Sequence, residues 1–135
     1  MRHFVLIPLL LVMSCAATPR EQAAIADQKV ADDLKLAGLL KGYTPGPAVN
    51  CLPQQSGQYS TTGVGDTLLY SNGGRVIYRN DTTGCSGVAR GDVLLTQTNQ
   101  SRLCRGQIAT TFDAISRNQT GSCSFGDFTP YRKNP

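Results

Sequence analysis

The first strong pattern in the chain is a run of apolar residues at helical spacing in its N-terminal third. The apolar positions are Ala23, Ala26, Val30, Leu34, Ala37 and Leu40. Steps of three and four residues put these side chains on one face of an α-helix. Thr18 and Glu21 have the spacing of a capping box at its start, and Gly42 is a typical stop. We therefore predict an amphipathic helix within residues 18–42 that packs on the remaining protein through Val30, Leu34 and Leu40.

From residue 43 onward, short apolar segments alternate with Gly, Pro and Asn. Leu68–Tyr70 and Arg75–Arg79 are joined by Asn72-Gly73-Gly74, which suits a hairpin with a two-residue turn. Such a turn would place on one face Leu68, Tyr70, Arg75, Ile77 and Arg79. Further strand candidates lie within residues 50–53, 59–62, 93–98, 103–112 and 122–131. About six short strands behind one helix predict a mainly β fold, a small antiparallel barrel or roll, over residues 43–135.

The chain opens with a short basic start and an uninterrupted apolar run, Phe4–Met13. This arrangement is typical of an export signal, and a membrane-spanning helix would need about 20 apolar residues. Val12-Met13-Ser14-Cys15 resembles the bacterial lipobox, whose Cys becomes lipidated. We predict an export signal over residues 1–17, a lipid on Cys15 and a location on the periplasmic side of the cell envelope, as an outer-membrane lipoprotein. The alternative is cleavage near Ala16 or Ala17, which would discard Cys15 and give a soluble periplasmic or secreted protein.

Four of the five cysteines follow the signal, at Cys51, Cys85, Cys104 and Cys123. An even number of cysteines in an exported chain predicts two disulfides in an oxidising compartment. A β region of about 90 residues buries only a modest core, so we expect disulfides to stabilise it. Four cysteines allow three pairings, and their spacing does not select one.

Charge and histidine content narrow the functions that the chain can perform. Removing Arg2 with the signal leaves 12 Lys and Arg against 9 Asp and Glu, a net charge of +3 without blocks of like charge. We therefore expect no nucleic-acid partner. The only histidine is His3, inside the predicted signal, which excludes Ser-His-Asp and Cys-His catalysis and zinc sites with His ligands. We expect no metal or other cofactor.

Two sets of charged residues are candidates for chemistry. An acid pair for hydrolysis could come from Asp66, Asp81, Asp92, Asp113 and Asp127. For Asp81, Asp92 and Asp127, turn formation is the main interpretation. A candidate anion-binding patch consists of Arg75, Arg79, Arg102 and Arg105 with Tyr70, and Arg90 lies near a predicted strand end. The main alternative for the arginines is a set of solvated charges that protect strand edges. Three Asn-x-Ser/Thr sequences indicate exposed polar loops at Asn80, Asn99 and Asn118.

Several segments together resemble a family of small exported proteins of Gram-negative bacteria. They are Cys51, the hairpin, residues 91–94, residues 103–106, residues 121–123 and residues 126–131. The resemblance covers most of the chain after the signal and implies no activity, cofactor or catalytic residue. In such relatives the cysteines matching Cys51 and Cys104 form the basic pair. The resemblance therefore favours the pairing Cys51–Cys104 and Cys85–Cys123.

These patterns predict a non-enzymatic cell-envelope protein that acts as a binding or structural module. Its partners would be the membrane, through the lipid on Cys15, and an envelope protein or an anionic glycan or lipid. One alternative is an inhibitor of an envelope-directed enzyme, although a positive net charge disfavours the strongly basic lysozyme-type targets. The second alternative is a hydrolase that uses an Asp pair.

Overall fold

The computed structural model describes residues 16–54 and 58–135, and one helix precedes eight strands in them. The helix is α1 (Pro19–Leu39), and a short 3-10 helix, Ser86–Arg90, precedes the fifth strand. The strands are β1 (Tyr43–Pro45), β2 (Ser60–Val64), β3 (Thr67–Ser71), β4 (Val76–Asp81), β5 (Val93–Thr96), β6 (Ile108–Phe112), β7 (Gln119–Ser124) and β8 (Phe128–Lys133). Cys15 and nearly all of the predicted export signal lie outside the described residues, so those assignments stay predictions.

The strands form two antiparallel sheets. The larger sheet has the order β1-β8-β4-β3-β2, and the smaller sheet has the order β5-β6-β7. The predicted mainly β fold behind one helix is confirmed, with eight strands rather than about six. The two sheets are not closed into a barrel, because β2 and β5 end their sheets without pairing to each other. Within the described residues, no helix is long and apolar enough to cross a membrane.

The β3–β4 hairpin has a different register from the predicted one. Tyr70 pairs with Tyr78 and Ser71 pairs with Ile77, so residues 72–75 connect the strands and Val76, the first residue of β4, has no partner on β3. Gly73 and Gly74 have φ angles of 72° and 74°, which glycine adopts without strain. The longer connection shifts the register by one residue and exchanges the two faces. Tyr70 therefore shares a face with Tyr78, and the prediction that it shares one with Arg75 and Arg79 is wrong.

The main core lies between the two sheets. Its fully buried members include Leu68 from β3, Cys85 and Phe128, and it receives Ala109 and Cys123 from the smaller sheet. The disulfides are Cys51–Cys104 and Cys85–Cys123, which is the predicted pairing. The second is inside the core and joins the loop after β4 to β7. It therefore ties the larger sheet to the smaller one.

Helix α1 packs on the protein near its C-terminal end, and of the three predicted packing residues only Leu40 takes part. Leu36 is buried against Val64 and Leu69, and Leu40 and Ile77 complete this smaller apolar cluster. Val30 and Leu34 are 59% and 71% exposed, so the prediction that they pack on the domain is wrong. At 100° per residue, Leu36 lies about 200° around the helix from Leu34. Three of the six residues in the predicted stripe are alanines, which offer little apolar area, whereas Leu36 contacts Val64 on β2 and Leu69 on β3.

Candidate functional site

A cleft of about 590 Å³ lies where the two sheets fail to meet. One wall comes from Thr61 on β2 and Tyr70 on β3, and the other from Leu94 and Thr96 on β5. The segments 52–54 and 101–103, which the Cys51–Cys104 disulfide holds together, also line the cleft, as do Gln58 and Tyr59. We call this feature the Tyr70 cleft. Its volume is that of a site for a small molecule or a short segment of a polymer.

Tyr70 is part of the lining of the cleft and part of the core at once. It is 3% exposed, and its ring packs on the rings of Tyr59 and Phe128 with centroids 6.5 and 5.9 Å away. Its hydroxyl is closed to solvent and has no hydrogen-bond partner among the described residues. Burial raises the pKa of Tyr70, so the phenol is neutral. A buried hydroxyl without a partner costs about 1–3 kcal/mol, which makes Tyr70 unusual among the core residues.

Tyr59 is held in a fixed orientation beside Tyr70. Its hydroxyl donates a hydrogen bond to the carbonyl of Pro53 at 2.9 Å, and its ring meets Tyr70 and Tyr78 edge to face. Burial and, to a smaller extent, the neighbouring Tyr78 raise the pKa of Tyr59. Across the lining, the side-chain amide of Gln54 donates to the carbonyl of Ser101 at 3.2 Å. These bonds give the cleft a largely preformed shape.

Arg102 is the one charged side chain that the structure, over residues 16–54 and 58–135, places in the lining of the cleft. Arg102 is exposed at the rim, and the other lining residues are apolar, aromatic, hydroxyl or amide side chains. No carboxylate from the described residues lines the cleft. An anionic group at the rim would therefore meet a guanidinium without competition from an acid in the same lining.

The structure divides the predicted anion-binding patch. Only Tyr70 and Arg102 come together, and they do so at the cleft. Arg79 lies on the opposite face of the hairpin and pairs with Asp81 at 2.9 Å. Arg105 pairs with Asp127 at 3.3 Å, and Arg75 lies exposed in the connection before β4. Because the hairpin register differs from the predicted one, the five side chains do not form one surface.

The five candidate aspartates lie at strand ends and in loops. Asp81 accepts a hydrogen bond from the Thr67 hydroxyl, and Asp92 accepts one from the Thr120 hydroxyl. Asp113 accepts bonds from two backbone amides of its own loop, and Asp66 occupies the turn between β2 and β3. With Asp127 paired to Arg105, four of the five carboxylates hold local structure. In the described part of the chain, no three His, Cys, Asp or Glu side chains are grouped as a metal site would need.

Asn80 lies in the interior of the protein, so the prediction that it marks an exposed loop is wrong. Its side chain is fully buried, whereas Asn99 and Asn118 are exposed as expected. Asn80 pairs directly with Leu68 and shares the inward face of the hairpin with Tyr78. The alternation of Val76, Tyr78 and Asn80 along β4 was the available signal. This alternation predicts a buried Asn80 only when the hairpin register, which sets the inward face of β4, is known.

Comparison with the models of known protein families, with curated proteins and with solved structures finds no match to this chain. The likeness to small exported proteins therefore stays a prediction, as do the inhibitor and hydrolase alternatives.

Proposed function

We propose that this protein is a non-enzymatic binding module of the cell envelope and that its ligand occupies the Tyr70 cleft. A lipid on Cys15 would hold it on the periplasmic side of the outer membrane. Two disulfides suit an oxidising compartment, and the apolar run before Cys15 suits an export signal. The resemblance to small exported proteins of Gram-negative bacteria agrees with this location.

The observation that carries the proposal is the pairing of Tyr70 with Arg102 in one cleft. Among the described residues, the buried Tyr70 hydroxyl has no hydrogen-bond partner and Arg102 is the only charged residue that lines the cleft. Buried polar groups in native proteins almost always have a hydrogen-bond partner. A ligand that displaces the side chains covering the Tyr70 hydroxyl would supply that partner, and its anionic group would meet Arg102.

The lining favours a ligand with many hydroxyl groups. Gln54, Thr61, Thr96 and Ser101 present amides and hydroxyls around a floor of Leu52, Tyr70 and Leu103. An acidic glycan matches this set, because a sugar ring has an apolar face for the floor, hydroxyls for the rim and a carboxylate for Arg102. A lipid phosphate shares the anionic group but would leave the polar rim without partners.

Calorimetric titration of the purified exported protein, with both disulfides formed, tests the proposal. The probes are oligogalacturonic acid, uncharged oligogalactose, and vesicles of phosphatidylglycerol or phosphatidylcholine. We expect oligogalacturonic acid to bind, and Arg102→Ala to weaken its binding by about 10- to 100-fold, the value of a charge-assisted hydrogen bond. Arg75→Ala, an exposed arginine outside the cleft, is the matched control and should leave binding unchanged.

Other results separate the ligand sources. Arg102-dependent binding of phosphatidylglycerol vesicles without binding of the acidic sugar would assign the cleft to lipid phosphate. Binding that Arg102→Ala leaves unchanged, or binding of no anionic probe, would contradict the proposal.

Tyr70→Phe provides a second readout. Removing a buried hydroxyl without a partner should raise the free energy of unfolding by about 1 kcal/mol. If the hydroxyl serves the ligand, the same variant should bind the acidic probe more weakly. A variant that is more stable and binds equally well would remove Tyr70 from the site.

A further inference from the structure

The outer face of the smaller sheet is apolar and exposed. Val93 on β5 pairs with Phe112 on β6, and both side chains point away from the core that Leu94 and Thr111 face. Val93, Leu95 and Ile108 are 53%, 49% and 60% exposed. Ile115, in the loop between β6 and β7, is 93% exposed. We call Val93, Leu95, Ile108, Phe112 and Ile115 the Ile115 surface. Several exposed apolar side chains on one side of a protein are typical of an interaction site.

Hydrogen bonds hold Ile115 in its exposed position. The Asp113 carboxylate accepts bonds from the backbone amides of Ile115 at 3.1 Å and Ser116 at 2.6 Å. The Asp113 amide donates to the Asn118 carbonyl, and the Arg117 amide donates to the Asp113 carbonyl, each at 2.9 Å. Arg117 has a φ of 58°, a conformation that non-glycine residues adopt rarely. The loop therefore presents Ile115 to solvent in a preorganised form, which lowers the entropic cost of binding.

A hollow of about 390 Å³ lies beside this projecting side chain. Val93, Leu95, Phe112 and Ala114 give it an apolar lining, and Asp113 and Arg117 lie at its edge. Arg117 takes part in none of the ion pairs that the described residues form. One surface thus carries an apolar projection, an apolar hollow, an acid and a base.

We propose that the Ile115 surface binds a second copy of this chain in a two-fold symmetric dimer. In a two-fold contact the same surface meets itself, so each feature must find its complement on that surface. Ile115 of one copy would enter the hollow of the other, and Arg117 would pair with Asp113 of the second copy. Both contacts occur twice. A two-fold dimer requires one surface to carry both members of each contact, as this surface does. An unrelated partner would bring the complementary groups itself, so it would not require them on this chain.

The charge of the Ile115 surface favours a second copy of the chain over an anionic membrane as its binding partner. Asp113 and Arg117 together leave the surface without net charge, whereas attraction to an anionic membrane would need an excess of basic residues. The surface would supply the apolar centre of an interface, and polar residues of β7 and of the loop around residue 98 would complete its rim. This proposal is independent of the Tyr70 cleft, because the cleft is lined by the inner side of β5.

Sedimentation equilibrium of the full exported protein tests the proposal, over concentrations up to on the order of 100 μM. We expect the average mass to rise from that of a monomer to that of a dimer. Ile115→Asp should raise the dissociation constant by about tenfold or more, because it places a charge in an apolar hollow. Leu34→Asp is the matched control: Leu34 is 71% exposed on α1, and its substitution should leave the dimer unchanged.

Arg117→Asp is a second variant and should weaken the dimer by repulsion from Asp113 of the other copy. Circular dichroism of each variant checks that the fold is kept. We expect it to be kept in Ile115→Asp, because the Ile115 side chain is 93% exposed and is not part of the core. A wild-type protein that stays monomeric throughout would overturn the proposal, as would equal effects of Leu34→Asp and Ile115→Asp. A monomer that binds phosphatidylglycerol vesicles through Ile115 would overturn it in favour of a lipid surface.

Discussion

The side chain of Asn80 and the backbone of Gly126 exchange two hydrogen bonds inside the main core. The Asn80 amide nitrogen donates to the Gly126 carbonyl at 2.8 Å, and its amide oxygen accepts from the Gly126 N–H at 2.9 Å. A third contact reaches the carbonyl of Asp127 at 3.3 Å. The Asn80 side chain thus satisfies the backbone hydrogen-bonding groups of Gly126, between β7 and β8, which a neighbouring strand would otherwise satisfy. A side chain at position 126 would also overlap the Asp81 carbonyl, so glycine is required there.

Asn80→Ala should lower the free energy of unfolding by about 3 kcal/mol. It would leave the partly buried N–H and carbonyl of Gly126 without these partners, and a polar group left unpaired away from water costs about 1–3 kcal/mol. Urea unfolding followed by circular dichroism measures the change. Asn99→Ala, at an exposed position, is the control and should alter stability by less than about 0.5 kcal/mol. Equal stabilities of the two variants would show that the Asn80 bonds contribute little.

Leu36→Ala and Leu34→Ala should have very different effects, although the residues are two apart on α1. Leu36 is 6% exposed against Val64 and Leu69, so its truncation should cost about 2–4 kcal/mol and release the helix. Leu34 is 71% exposed, and its truncation should cost less than about 0.5 kcal/mol. Limited proteolysis within α1, alongside thermal unfolding, measures the release. Faster cleavage in the Leu34 variant than in the Leu36 variant would refute the observed packing.

The two disulfides should differ in how readily they are reduced. Cys85 and Cys123 are buried, whereas Cys51 and Cys104 are partly exposed. An attacking thiolate needs access to a sulfur, so mild reductant should open Cys51–Cys104 first. Stepwise reduction, alkylation and peptide mass analysis would identify the free thiols. Simultaneous reduction of both bonds would indicate global unfolding before either is attacked.

Removing the buried disulfide should also cost more stability. Cys85 and Cys123 are 38 positions apart in the chain, and Cys51 and Cys104 are 53 positions apart. This difference in loop length changes the entropic stabilisation by only about 0.3 kcal/mol. Burial therefore decides the order, because Cys85→Ala with Cys123→Ala also leaves a cavity in the core. Comparing that double variant with Cys51→Ala, Cys104→Ala by urea unfolding tests the order.

The loop of Ile115 should lose its order in acid. Hydrogen bonds from Ser116, and then from Ile115, hold the pKa of Asp113 below its ordinary value of 3.8. A carboxyl whose pKa is lower in the ordered loop stabilises that loop fully above about pH 4, and the contribution disappears as the pH falls through the lowered pKa. NMR titration of the Asp113 carboxyl and the Ile115 amide measures both events. In Asp113→Asn the Ile115 amide should no longer respond to pH in this range.

Local chemistry made some of this protein predictable from its sequence. Thr18 and Glu21 form the predicted capping box, and α1 begins at Pro19, because the hydrogen bonds involved lie within one helical turn. Short strands with Gly and Pro between them indicated a β domain, and a small core indicated the need for disulfides. Each of these inferences depends on neighbours in the chain or on the size of the region, which the sequence states directly.

Only the tertiary structure decided which faces of these elements meet. The apolar stripe of α1 was clear in the sequence, yet Leu36 packs instead of Leu34 because Val64 and Leu69 lie where Leu36 points. A connection longer than two residues reversed the faces of the β3–β4 hairpin, which moved Tyr70 into the core and separated it from Arg79. The Tyr70 cleft and the burial of Asn80 follow from that register. Contacts between residues far apart in the chain choose among local patterns of similar energy, so the site could not be read from the sequence alone.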